Sequence, residues 1–164
     1  MKLPEFSVLI LGICLAACNS DCSERNEFYK SKGDFDLRRI PLIRPYVIVD
    51  TRTDYWLVDY FYFDKNKPWN NRQRVDRFTI VDSVIVIECN DCVYDGEEEK
   101  GVYTVVIPKN KFEKTFTNRK DYQGFLIKNN IKPKEMYRPT DTYLSWEKGA
   151  HLPWAAIKLS YEDK

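Results

Sequence analysis

The sequence predicts an α+β, mainly β fold: an antiparallel meander sheet of five or six strands with one or two short C-terminal helices on one face. Three observations carry it. Short runs rich in β-branched and aromatic residues recur between Tyr46 and Ile107, a composition that suits a pleated, half-buried surface. Polar breaks separate those runs at turn-like intervals. In the last third, apolar residues change from strand-like runs to helical spacing.

The elements follow in order. Arg39-Ile40-Pro41-Leu42-Ile43-Arg44-Pro45 holds two prolines, so it is expected to be extended and to lie at a sheet edge or corner. Tyr46-Val47-Ile48-Val49 and Tyr55–Phe63 read as strands around the polar break at 50–54. Residues 64–73 are a polar loop carrying Pro68 and Trp69. Phe78–Val81 and Val84–Ile87 flank Asp82-Ser83, which reads as a tight hairpin. Residues 95–101 are expected to form a glycine-bounded loop whose acids make a solvated tip. Calcium is disfavoured there because the run lacks an alternating Asp/Asn pattern. Val102–Ile107 completes the meander and Pro108 stops it.

Tyr122, Phe125, Leu126 and Ile131 fall near helical spacing, with Asn118 available as an N-cap and Lys128-Asn129-Asn130 suited to the end. Thr140 to Gly149 reads as a second short helix stopped by glycine. Ala155–Leu159 is expected to add a last strand.

The first residues point elsewhere. Lys2 supplies a positive charge and Phe6–Cys18 is apolar apart from Ser7, too short to span a bilayer, which needs about 20 residues. Basic start, apolar run and small residues arrive in the order of a secretory signal. Leu15-Ala16-Ala17-Cys18 resembles the bacterial lipobox at all four positions, and the chain as a whole is similar to small lipoproteins of Gram-negative, Bacteroidetes-like bacteria. That resemblance implies cleavage before Cys18, diacylglycerol on its sulfur and a membrane partner reached through that lipid. By the sorting pattern of enteric bacteria, Asn19 in the next position implies passage to the outer membrane, where the protein is expected to face the periplasm. Residues 1–17 are then a signal peptide, 18–34 an acylated cysteine with a polar tether, and 35–164 one globular domain.

In an exported chain Cys14 leaves with the signal and Cys18 carries lipid, so Cys22, Cys89 and Cys92 remain. A local disulfide closing a turn is the simplest reading of Cys89-Asn90-Asp91-Cys92, ahead of free thiols, a redox pair or half a zinc site. Redox use would need a helix after the first thiol, and zinc would need a second ligand pair.

Composition limits function. Lys and Arg total 26 against 25 Asp and Glu. Near-neutrality gives no electrostatic case for nucleic acid or anionic lipid. His151, the only histidine, has no helical partner at three or four residues. No P-loop, nucleophile elbow, zinc-protease or dinucleotide signature occurs, and no cofactor or metal is expected. Catalysis is the less favoured class. A binding module, inhibitor- or immunity-like, has candidate contacts in Trp56, Tyr60, Tyr62 and Trp69, because tyrosine and tryptophan give contact area at low entropic cost. On the same strand, Tyr55, Leu57, Phe61 and Phe63 would occupy the opposite face around Asp59. The competing class is an envelope hydrolase or glycan-handling protein using dispersed carboxylates such as Asp59 and Asp95.

Overall fold

The structure is a computed structural model and describes residues 28–30, 32, 37–44, 46–50, 55–60, 73–94, 97–133 and 135–154. The chain divides into two compact units, Met1–Ser31 and Lys32–Lys164. In the first, residues 28–30 are helical, and the Phe28 and Tyr29 rings meet edge to face with centroids 4.8 Å apart.

The second unit contains β1 (Arg38–Pro41), β2 (Tyr46–Asp50), β3 (Trp56–Tyr60), β4 (Arg77–Val81), β5 (Val84–Tyr94), β6 (Glu97–Ile107), β7 (Phe112–Phe116), α1 (Arg119–Lys128) and α2 (Pro139–Glu147). The strands are all antiparallel, but they form two sheets, β1-β2-β3 and β4-β5-β6-β7, rather than one five- or six-stranded meander. The reason is a sheet-switching segment. Val58 N–H donates to the Gln73 carbonyl and Val75 N–H to the Trp56 carbonyl, so residues 73–75 run beside β3. One residue later Asp76 N–H donates to the Glu88 carbonyl, and β4 continues along β5. A chain that changes partners within one step must bend, and the bend divides the sheet.

Local chemistry explains the elements on either side. Pro41 closes β1, an edge strand that pairs only with β2 among the described residues, as a proline requires. Asp82 and Ser83 both have positive φ, 47° and 66°, the mirror-image turn whose twist matches a two-residue hairpin. β5 and β6 run 11 residues each. The acidic run Glu97–Glu99 is therefore strand, not loop, and it pairs with Cys92, Val93 and Tyr94. β7 also lies beyond the expected end of the meander. Pro108 stops β6 in a short 3-10 turn, Lys111 takes the left-handed conformation at φ 49°, and the chain reverses to pair with β6.

The second sheet is buried on both sides, and period two shows it. Ile85 and Ile87 join Phe78, Ile80 and Val106 in a core shared with Ile40, Ile48, Trp56 and Val58 of the first sheet. Val84, Val86 and Val105 face Phe116, Tyr122, Leu126 and Ile131 on the other side. The helices do not share a face. α1 covers this second cluster, capped by Asn118, whose side chain accepts from Lys120 N–H at 2.7 Å. α2 belongs to the first, through Tyr143 and a hydrogen bond from the Trp56 indole to the Thr140 hydroxyl at 2.9 Å. Gly149, at φ +98°, ends the turn after α2. Ala155–Leu159 lies outside the described residues.

Trp154 stitches the sheets together. It is 1 % exposed. Its indole N–H donates to the Pro41 carbonyl at 3.1 Å, and its ring meets Phe78 edge-on at 5.3 Å. Trp154→Ala is expected to cost about 3–5 kcal/mol through the cavity it leaves. Gly124 lies in α1 with open space where a Cβ would sit, so Gly124→Ala should stabilise by about 0.5–1 kcal/mol. Urea denaturation of both variants reads the two opposite signs; a neutral Trp154→Ala would refute the stitch.

Candidate functional site

Of the residues singled out from sequence, Cys18, Tyr62 and Trp69 lie outside the described residues, as do Cys22 and Asp95. Tyr60 ends β3 opposite Tyr46. Trp56 is not a surface contact: it is 7 % exposed, packed 5.8 Å from the Tyr143 ring and hydrogen-bonded to Thr140. Its burial follows from the strand's alternation, which sends Trp56 and Val58 inward together. Arg38 covers the Trp56 and Tyr143 rings at 5.6 and 5.9 Å and forms an ion pair with the buried Asp50.

The aromatic that this end of the strand exposes is its neighbour, Tyr55, at 46 %. The Arg74 guanidinium lies 4.6 Å from the Tyr55 ring centroid and its Nε donates to Asp76 at 3.0 Å. The other Asp76 oxygen accepts from Asn90 N–H at 2.7 Å. One carboxylate thus holds the sheet-switching segment against β5, at the point where β5 is itself distorted. Cys89 and Cys92 are disulfide-bonded, with Cα atoms 5.9 Å apart. An undistorted strand would separate them by about 10 Å, so the backbone folds back between them. Across the pair, Gly101 takes φ +82°, a conformation glycine adopts without a Cβ penalty. Both cysteines are buried with Val102.

A concave site forms along α2. A cavity of about 410 Å³ is lined by Glu135, Tyr137, Arg138, Asp141, Ser145, Trp146 and His151, among others. Its walls are fixed from three directions. Tyr137 is bound to β4 by reciprocal backbone hydrogen bonds with Phe78, 2.7 and 2.9 Å long. Pro139 at the start of α2 lacks only an N–H that a first helical turn leaves unpaired, and Asp141 in that turn complements the helix dipole. The far wall, His151 to Pro153, is held in place by the buried Trp154 that follows it.

The site mixes charges, hydroxyls and rings. Burial pushes the Tyr137 phenol above its ordinary pKa, and a hydrogen bond to Glu135 and that residue's charge push it the same way. The pair therefore presents a neutral phenol against a carboxylate. Arg138 supplies a cation beside Asp141, and Trp146 an aromatic wall whose ring also lies 5.5 Å from the Lys32 ammonium. His151 is exposed. Among the described residues no group of three or more His, Cys, Asp or Glu could hold a metal ion. Of the carboxylates the sequence offered, Asp95 lies outside the described residues and Asp59 sits on β3 opposite Val47.

Sequence reasoning missed Glu135, Tyr137, Arg138 and Trp146. Arg138-Pro139-Thr140-Asp141 carries a readable helix start, but nothing local shows that 135–138 and 151–153 flank that helix. No protein-family model, curated protein or solved structure matches the chain.

Three phenols share one direction of shift. Burial raises Tyr122 from 10.0 to about 12, helped by the charge of Glu88. Burial also raises Tyr137, with Glu135, and Tyr143, with Glu147. A raised phenol pKa stabilises the fold fully below the unfolded value and loses that contribution as pH climbs through the folded value. Stability is therefore expected to fall between pH 10.0 and about 12. Tyrosinate absorbance should then rise together with loss of tertiary structure; titration of all tyrosines at their ordinary value with the fold intact would contradict this.

Proposed function

We propose that this chain is a lipid-anchored envelope protein, acylated at Cys18 and held at the outer membrane facing the periplasm, whose folded unit captures a protein partner without catalysis. The observation that carries the anchor is the order of the first residues: Lys2, the apolar run Phe6–Cys18 and Leu15-Ala16-Ala17-Cys18 at its end. Acylation with two or more chains gives stable attachment, each buried methylene contributing about 0.8 kcal/mol.

The partner-binding reading is supported by the α2 groove. It offers a cation, two carboxylates, three hydroxyls and a tryptophan wall within one concavity, the mixture that recognises a polar loop with an apolar anchor. The groove takes the place of Trp56 as a candidate contact, because Trp56 is consumed by the core. A second reading, a glycan-handling hydrolase, is favoured by one observation: Glu135 and Asp141 line the same groove as His151. The two differ in what Glu135→Gln does. Hydrolysis depends on that carboxylate as acid or base and is lost, whereas capture of a protein loses one contact among several.

Two experiments test the proposal. Cys18→Ala is expected to abolish incorporation of a fatty-acid probe and release the protein from membranes; unchanged labelling refutes the anchor. Ser145 is exposed in the groove wall, so Ser145→Arg fills the site without touching the core. Proteins that cross-link to the wild-type chain in native envelopes should disappear from the Ser145→Arg sample. An unchanged cross-linking pattern rules out capture through this groove.

A further inference from the structure

The chain's near-neutral total conceals a segregation of charge. Between Lys109 and Lys132 there are seven lysines and arginines against two acids, Glu113 and Asp121, in a chain whose net charge is +1. All seven cations are exposed. The fold places them on β7, the turn before it, α1 and the segment that follows α1, so the second sheet's covering helix is also its most basic element.

Within that region three lysines converge. Lys114, Lys120 and Lys128 line one open groove of about 700 Å³ between β7 and α1, three cations against the single carboxylate of Asp121. On the helix, Lys120, Gly124, Ile127 and Lys128 follow the spacing that places residues on one face, opposite Tyr122 and Leu126, which pack into the core. Ile127 is 80 % exposed, the most exposed large apolar side chain among the described residues. The outward face of α1 thus carries an exposed isoleucine on the same side of the helix as Lys120 and Lys128. No requirement of the fold puts isoleucine there.

We propose that this face docks on an anionic phospholipid surface, with Ile127 entering the headgroup layer and the three lysines meeting lipid phosphates. Charge complementarity selects the occupant: clustered lysines near a negatively charged leaflet each strengthen binding, and an apolar side chain among them adds buried area. The inference rests on the envelope anchor for proximity to a bilayer. Its role there is orientation. The core cluster that α1 covers and the one that holds α2 lie on opposite faces of the second sheet, so lipid contact through α1 directs the α2 groove away from the membrane.

The test uses the full chain carrying Cys18→Ala, so that no acyl group contributes and the apolar N-terminus contributes equally to every sample. Sedimentation with phosphatidylglycerol vesicles is compared with phosphatidylcholine vesicles. Preferential binding to phosphatidylglycerol, suppressed by high salt, is expected. The triple variant Lys114→Gln, Lys120→Gln, Lys128→Gln should bind on the order of 100-fold more weakly. Ile127→Ser should weaken binding roughly tenfold. All four positions are exposed, and circular dichroism checks that the fold persists. Equal binding to both vesicle types, or an unchanged triple variant, overturns the proposal. Retention of soluble heparin or inorganic phosphate as tightly as vesicles overturns it too, because the site then reads a free anion. Fatty-acid labelling of the unmutated chain separates the two readings. Labelled protein without vesicle preference leaves the anchor standing and the basic face refuted; vesicle preference without labelling does the reverse.

Discussion

One bent segment, Gln73 to Val81, has to serve both sheets. Its first residues complete the ladder of β3 and its remainder opens the ladder of β5. Every backbone group on either side of the bend needs a partner, since a buried unpaired amide costs about as much as a lost hydrogen bond. Asp76 meets that need at the corner: its amide donates to Glu88 while its carboxylate takes Asn90 N–H and the Arg74 guanidinium. The strand can change sheets because the carboxylate satisfies what the ladder no longer does.

Once the corner is set, the core follows. The two sheets face each other across Phe78, Ile80, Ile85 and Ile87 on one side and Ile40, Ile48, Trp56 and Val58 on the other. Trp154 bridges them by a hydrogen bond to one and an aromatic edge contact to the other. A bridging side chain this late in the chain also positions what precedes it, including the wall of the α2 groove. The groove is therefore a by-product of core closure, built from α2 and the segments immediately before and after it.

The outer face of the second sheet solves a different problem. Val84, Val86 and Val105 cannot face water as a continuous stripe, and α1 covers them with Tyr122 and Leu126. The Tyr103 and Tyr122 rings stack at 4.4 Å and the Phe112 and Phe125 rings at 5.7 Å. Covering the sheet consumes one side of the helix only. The other side is free to carry lysines and an exposed isoleucine, and it does so in a chain whose overall composition argued against any electrostatic partner. Net charge describes a sum, whereas a surface responds to arrangement over distances of a Debye length, about 8 Å at physiological salt.

The sequence by itself determined whatever depends on neighbours a few residues apart. Asp82-Ser83 marked a hairpin, Asn118 capped a helix, Pro41 lay at an edge and Gly149 stopped the turn after α2, because turn dihedrals and caps are local chemistry. Short runs of β-branched and aromatic residues likewise identified β2, β4 and the first half of β5. Only the tertiary structure decided that the meander splits at Gln73, that Trp56 is buried while Tyr55 is not, and that α1 and α2 cover different cores. It also decided that Glu135, Asp141 and His151 share a groove and that Lys114 joins Lys120 and Lys128. The sheet division and the burial of Trp56 depend on pairings between distant segments, as does the closure of the core by Trp154 on Pro41 across 113 positions. Residue types allow such pairings without specifying them: what selects them is the simultaneous burial of apolar surface and satisfaction of backbone groups, a condition only the whole chain can meet.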